Sequence, residues 1–570
     1  MDMKQTFLQL ITPFEEHGME SWGIYPRPQM KRDSFLSLCG EWELSVINGE
    51  AKESLGKIRV PFPPESRISG IGRALKKGES YRYRKTFRLP EGFVRDEVLL
   101  HFGAVDQICR IFVNGACAGE HTGGYLPFSF EIASHLREGD NLLEVEVWDD
   151  TDIMLPYGKQ RKKRGGMWYT PISGIWQPVW LESVPKEHIR SLKITPYLDR
   201  VVIRVEGGEQ TKQVKLETGE CISFVGEETE ISIESPRLWY PEDPYLYRFE
   251  VICGEDRVES YFALRTVSVE NVGGIPRLCL NGKPYFFHGL LDQGYFADGI
   301  YLPASPEGYR YDIAKAKAMG FNMLRKHIKI EPDVFYYECD RMGMVVFQDM
   351  VNNGKYRYIR DTVLPTIGMK KRPFFHTPKR QKEVFEQTVE ETLGLLYNHP
   401  SVCYYTIFNE GWGQYDADGV YRRLKAMDST RIFDATSGWF VGKESDVDSR
   451  HVYFRPFRIK EKSKKPLVLS EFGGYSYKIP QHSFNQTKTY GYKSFAEQEA
   501  FVRGLEELYD GQILPAIKEG LCGTVLTQLS DVEDETNGLL TYDRRCIKVA
   551  EPLMLALADR LFAEFEKTTK

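Results

Sequence analysis

The sequence predicts two β-sandwich domains followed by a (β/α)8 barrel. Three observations carry this reading. From Gly40 to Trp148 the chain gives short alternating runs separated by turn residues, with no convincing amphipathic helix among them. From Pro284 onward apolar strands alternate with stretches of helical spacing. The 570 residues exceed what a single hydrophobic core holds, so several domains are expected.

The composition, 42% hydrophobic and 27% charged, is that of a folded soluble protein. A formal net charge of −6 and a pI near 6.1 argue against nucleic-acid or membrane-surface partners. The ten cysteines are scattered without a CxxC pair, which argues against zinc and fits a reducing compartment. Residues Met1 to Leu8 lack the apolar stretch of a signal peptide, and no run is long and apolar enough to span a membrane. A cytoplasmic location is expected.

Residues 1–185 form the first expected domain. Trp42–Val46, Tyr81–Phe87, Glu97–Phe102, Arg110–Val113 and Leu142–Trp148 read as strands, and Asn114-Gly115 as a hairpin turn. A jelly-roll sandwich is expected. Trp148-Asp149-Asp150-Thr151 closes a strand ahead of a long polar loop, where Asp favours an Asx-turn. Arg161-Lys162-Lys163-Arg164 reads first as a solvated loop and second as a cradle for an acidic substrate.

Residues 186–267 continue with short strands, and their length suits a small β-sandwich. Its expected work is structural. Residues 268–570 form the barrel. Pro284–Gly289 reads as its first strand, Phe321–Arg325 as its second and Met344–Asp349 as its third. Helices are expected over Pro306–Met319, from Pro332 to Gly343 and over Lys379–Asn398. Ser494-Phe495-Ala496-Glu497 reads as a capping box opening a later helix. Gly523–Gln528 reads as the last strand and Pro552–Phe565 as the last helix.

Two strands stand out. Ser401–Phe408 is apolar and ends on Asn409-Glu410 before glycines, and Pro466–Ser470 ends on Glu471 before Phe472-Gly473. These are the expected fourth and seventh strands, with Arg431–Thr436 and Arg450–Phe454 between them. The spacing is short for three units, so the helix after the fifth strand should be reduced. Carboxyl ends of barrel strands form the active face, and two carboxylates there suit glycoside hydrolysis.

The residues now resemble a known family. Asn398-His399-Pro400-Ser401-Val402 with Asn409-Glu410, and Ser470-Glu471-Phe472-Gly473, resemble the acid/base and nucleophile strands of glycoside hydrolase family 2. Val113-Asn114-Gly115 through Phe128 and Gly174–Leu181 are similar to its sugar-binding domain. Leu238–Pro241 with Pro244–Tyr247 is similar to its immunoglobulin-like domain. The resemblance covers nearly the whole chain. It implies Glu410 as acid/base, Glu471 as nucleophile and Asn409 as a donor to the sugar 2-hydroxyl.

It also implies lesser candidates. Asp150 fits the Trp-x-Asp carboxylate of the β-galactosidases, and His288 the family's first-strand histidine. Arg325 and His327 resemble its Arg-x-x-His with one residue missing, and Tyr453 stands near its nucleophile-contacting tyrosine. Asp349 ends the third strand, and Trp439 is a stacking or packing residue. Gln528 and Asp531 leave the eighth strand in an acidic loop that rims the pocket or is solvated.

The implied activity is a retaining exo-β-glycosidase. Asp150 leans toward β-galactoside. The Asn-x-Lys pair of β-glucuronidases is not evident, Thr536-Asn537-Gly538-Leu539 standing instead, and the β-mannosidase form of the acid/base strand is missing. β-Glucuronide, β-mannoside and α-L-arabinopyranoside remain open. No cofactor is required and no metal ligand set is legible. The expected partner is a carbohydrate, with homo-oligomerisation left open. The rival from another class is a non-catalytic carbohydrate-binding protein, which would predict loss of one glutamate.

Overall fold

The computed structural model describes residues 6–17, 22–369 and 376–569. The first sandwich packs a six-stranded antiparallel sheet, with strands 40–48, 80–87 and 141–148 near its middle, against a four-stranded sheet built on 97–102 and 179–184. Strict alternation drives it. Leu143, Val145 and Val147 point into the core while Leu142, Glu144 and Glu146 are only partly covered.

The second sandwich has strands 191–196, 200–206 and 228–232 in one sheet. The other holds 212–216, 221–224, 247–253 and 256–262. Ile194, Val201, Ile203, Val214, Val251 and Val258 fill the space between, in an immunoglobulin-like arrangement. A hairpin over 267–280 then seats Leu278 and Leu280 against the floor of the barrel, beside Phe287 and Met323.

The barrel strands are β1 (Phe287–Asp292), β2 (Met323–Lys326), β3 (Val345–Asp349), β4 (Val402–Asn409), β5 (Ile432–Ser437), β6 (Asp448–Val452), β7 (Leu467–Gly473) and β8 (Leu521–Thr527). They pair in parallel in the order 5-4-3-2-1-8-7-6, so the sheet is closed on every side but that between β5 and β6. Outward residues such as Leu290, Leu324, Val346 and Leu469 meet helix residues Phe385, Val389, Leu393, Leu557 and Leu561. Among the described residues no helix follows β5 or β6 before the next strand. The sequence expectation of one reduced helix therefore understates the change.

The other helices fall close to expectation: Glu307–Ala318, Asp333–Met342, Lys379–Leu396 and Glu551–Thr569. The helix Asp333–Met342 stops at Gly343, whose φ of 73° is open to glycine at little cost. The expected capping box does not form. Ser494 lies in a short strand, and the helix begins at Gln498 with Glu497 making no side-chain cap. No helix among the described residues is long and apolar enough to cross a membrane.

Candidate active site

β4 delivers Glu410 and β7 delivers Glu471 to the same end of the barrel. Glu410 follows directly on β4, with φ at 53° in the left-handed region and its backbone N–H donating to the Ser437 carbonyl at 3.0 Å. A non-glycine residue held there is strained, a condition that collects at functional sites. Gly411 continues the turn at φ 72°, where a Cβ would strike the Phe440 ring at 2.4 Å. On β7 the register shifts between Leu469 and Phe472, which turns Glu471 inward while Leu469 and Phe472 face the helices.

Arg325 at the end of β2 organises the floor. Its Nε donates to Asp349 Oδ1 at 2.9 Å, Nη1 to Glu471 Oε1 at 3.0 Å and to the Ser470 carbonyl at 2.8 Å, and Nη2 to Asn409 Oδ1 at 3.0 Å. One planar fork thus fixes three side chains from three strands. The other Asp349 oxygen lies 2.6 Å from His327 Nδ1. Burial pushes the His327 imidazole below its usual value, with the Asp349 hydrogen bond opposing and the Lys159 charge adding to the fall.

Glu471 also accepts from the Tyr453 hydroxyl at 2.5 Å, and that hydroxyl lies 2.9 Å from Thr527 Oγ1. Burial would raise its pKa. The His451, Arg325 and His327 charges and the Tyr453 hydrogen bond outweigh it and hold the carboxylate at about 2. Glu471 therefore stays ionised in neutral solution.

His451 on β6 joins the two glutamates. Its Nδ1 lies 2.8 Å from Glu410 Oε1 and 3.5 Å from Glu471 Oε2, and its Nε2 is 2.6 Å from Ser437 Oγ. One carboxylate oxygen from each glutamate and a ring nitrogen of His451 fall within 4.8 Å of one another. This trio is the group of described residues that could grip a cation, and one hydrogen bond, between His451 and Glu410, already joins two of its members. Sequence reading missed His451. Its one local signal is its place two residues before Tyr453.

Trp439 donates from Nε1 to the Glu410 carbonyl at 3.0 Å and to the Asp361 carbonyl at 3.1 Å, and it borders the cleft above Glu410. Asn409, Arg325, His327, Asp349, Trp439 and Tyr453 thus gather around the glutamates.

Four sequence candidates do not join them. Asp150 is exposed. The Asx-turn belongs to its neighbour Asp149, whose Oδ1 accepts from the Thr151 N–H at 2.6 Å. His288 faces out of the barrel, stacked on Phe321 and 2.9 Å from Thr524 Oγ1, because Phe287 takes the inward position. Gln528 bonds with Gln293 and Asn537. Asp531 accepts from Lys548 Nζ at 2.6 Å and from the Gly538 N–H at 2.9 Å.

The two charged loops meet each other through Arg164 alone of the basic run, which departs in that residue from the solvated loop expected there. Arg164 pairs with Glu533 at 3.0 Å, whose other oxygen accepts from the Thr170 N–H at 3.0 Å. Tyr169 donates to Glu535. Arg161, Lys162 and Lys163 remain exposed. This clasp draws residues 157–170 of the first sandwich onto the barrel mouth, where Trp168 packs edge-on to Trp412 at 5.3 Å. Residue pairs some 366 positions apart in the chain make the contact.

Known proteins share this arrangement. Residues 72–185 match the glycosyl hydrolases family 2 sugar binding domain, 188–265 the glycosyl hydrolases family 2 domain that follows it, and 276–503 the family's TIM barrel domain. A β-glucuronidase of Streptococcus agalactiae is 25% identical over 79% of this chain and 84% of its own length. A β-galactosidase of Thermoanaerobacter pseudethanolicus is 28% identical over 48% of this chain, a match spanning only 40% of that relative. A β-D-glucuronidase structure from Dictyoglomus thermophilum superposes with a TM-score of 0.73 at 20% identity, covering 94% of this chain and 98% of that one. A β-galacturonidase from Eisenbergiella tayi bound to galacturonate gives 0.67 at 18% identity, covering 95% and 99%. At such identities the structural likeness speaks for the fold. The three matched domains, in their order and on this barrel, make the chain a member of glycoside hydrolase family 2.

Proposed function

We propose that the chain hydrolyses terminal β-glycosides with retention of configuration, Glu471 acting as nucleophile and Glu410 as acid/base. The observation that carries this is the approach of the two carboxylates, one oxygen of each lying within 4.8 Å of the other and both bordering His451 Nδ1. An inverting pair stands about 6.5–9.5 Å apart to admit a water, and a retaining pair about 5–5.5 Å. Ionised Glu471 attacks the anomeric carbon as Glu410 protonates the departing oxygen. Glu410 then takes a proton from the water that releases the sugar. Asn409, held by Arg325, is a donor for the sugar 2-hydroxyl.

The test is hydrolysis of a panel of nitrophenyl glycosides by wild type, Glu410→Ala and Glu471→Ala, with and without azide. Rescue of Glu471→Ala to an α-azide and of Glu410→Ala to a β-azide is expected. Rescue to the opposite anomers would reverse the roles. A wild-type protein that binds sugars and cleaves none would return the carbohydrate-binding reading.

The sequence expectation of a β-galactoside rests on Asp150, which lies exposed outside the cluster. One observation favours an acidic glycon such as a β-uronide instead. Lys159 is 8% exposed, its ammonium lies over the Trp168 ring at 5.7 Å, and that ammonium makes no hydrogen bond or ion pair among the described residues. Its charge is felt at His327 and at Glu535, beside the catalytic pair. A cation beside the pair with no direct ion pair among the described residues suits a substrate carboxylate. Relatives carry both names, β-glucuronidase and β-galactosidase. Uronides should be cleaved faster than β-galactoside, and Lys159→Met should remove that preference.

A further inference from the structure

Glu410 borders a cleft of about 540 Å³ that runs outward from Tyr453 along the loops after β3, β5 and β6. A proton donor to the glycosidic oxygen stands beside the leaving group, so this outward part of the cleft is where the leaving group must lie.

Exposed apolar side chains stand on its walls. Tyr358, Met369, Val441 and Phe454 come from three separate loops, are 64%, 40%, 50% and 68% exposed, and all line this one cleft. Exposed apolar side chains are common singly, but a contiguous group marks a binding surface. Trp439 and Phe440 form the base beneath them.

Polar groups on this wall are partly committed already. Trp439 Nε1 is spent on two backbone carbonyls, and the Thr362 hydroxyl bonds with Tyr356. A subsite for a second sugar ring needs fixed donors and acceptors for its hydroxyls, whereas a flat hydrocarbon needs faces to lie against. Tyr492, stacked on Tyr453 at 3.7 Å with the rings 7° apart, supplies one more such face.

We propose that this surface is the leaving-group subsite, and that it takes a flat apolar aglycone, an aromatic or polycyclic alcohol, in preference to a second sugar. The assignment rests on the reading of Glu410 as proton donor.

The experiment holds the glycon fixed and compares methyl, 2-naphthylmethyl and glucosyl aglycones, all alkanol leaving groups with similar need of the acid. The 2-naphthylmethyl glycoside should exceed the disaccharide in kcat/KM by at least about tenfold. Val441→Ser/Phe454→Ser, at positions 50% and 68% exposed, should cut that ratio at least about fivefold. Val225→Ser, 80% exposed on the second sandwich, should leave the ratio alone. A disaccharide cleaved as fast as the naphthylmethyl glycoside overturns the proposal, as does an unchanged ratio in the double variant. A dimer seen by light scattering in wild type and lost in the double variant would assign the surface to a second copy instead. If no glycoside is cleaved, the reading of Glu410 fails and the assignment falls with it. Cleavage of all three without preference overturns the assignment alone.

Discussion

His451 Nδ1 lies 2.8 Å from Oε1 of Glu410 and 3.5 Å from Oε2 of Glu471, so one imidazole touches both halves of the carboxylate pair. It is also the pairing partner of Glu471 across β6 and β7, where a register shift between Arg450 and His451 sets its aim. The ring occupies one oxygen of Glu410 and leaves the other without a hydrogen bond among the described residues. It also contributes to the low pKa of Glu471.

His451→Gln should therefore change the pH profile as well as the rate. Glu471 must be ionised, and activity is lost as pH falls through its pKa of about 2. Without the His451 charge that pKa climbs toward the ordinary carboxylate value, so the acid limb of kcat/KM moves to higher pH. A fall in kcat of about 10²-fold should accompany it. A slower enzyme with an unmoved acid limb would reduce His451 to packing.

Tyr453→Phe removes a hydroxyl that donates to Glu471 at 2.5 Å, while the ring stays stacked on Tyr492. The fold should hold, with the thermal midpoint close to wild type. Loss of a donor aimed at the reacting carboxylate should lower kcat by about 10²-fold. KM should change far less. Steady-state kinetics with one cleaved glycoside decides it.

Glu65 gives a stability prediction away from the site. Burial pushes its pKa up to about 8, against hydrogen bonds from Ser173. The unfolded carboxyl titrates near about 4.3. Between those values the folded protein holds a proton that the unfolded chain has released. This contribution to stability is complete below about pH 4.3 and is lost as pH rises through 8. Glu65→Gln keeps the shape without the titration. Thermal midpoints measured from pH 5 to 9 should fall more steeply with rising pH in wild type than in the variant, and parallel curves would count against it.

The parts legible in the sequence were those written in local pattern. An apolar run ending in a glutamate and a glycine occurs at β4 and again at β7, and each run lies where its strand lies. Asp349 could be found because it ends a strand, and Arg325 through its resemblance to the family's Arg-x-x-His. His288 was misread because motif position was followed without strand parity, which already put Phe287 inward and the histidine outward. His451 lay in a polar, half-exposed strand with no apolar run to announce it. The Arg164–Glu533 pair could not be seen at all, since each loop alone reads as a solvated charge cluster and only the folded chain brings them together.

That pair has a consequence for descent. The wall of the barrel mouth formed by residues 157–170 is encoded in one domain, and its anchors, Glu533 and Glu535, near the far end of another. Exchange of whole domains between relatives would part the wall from its anchors unless both segments travelled together. A change in one loop would thus call for a matching change in the other, although 369 of the 570 positions separate them.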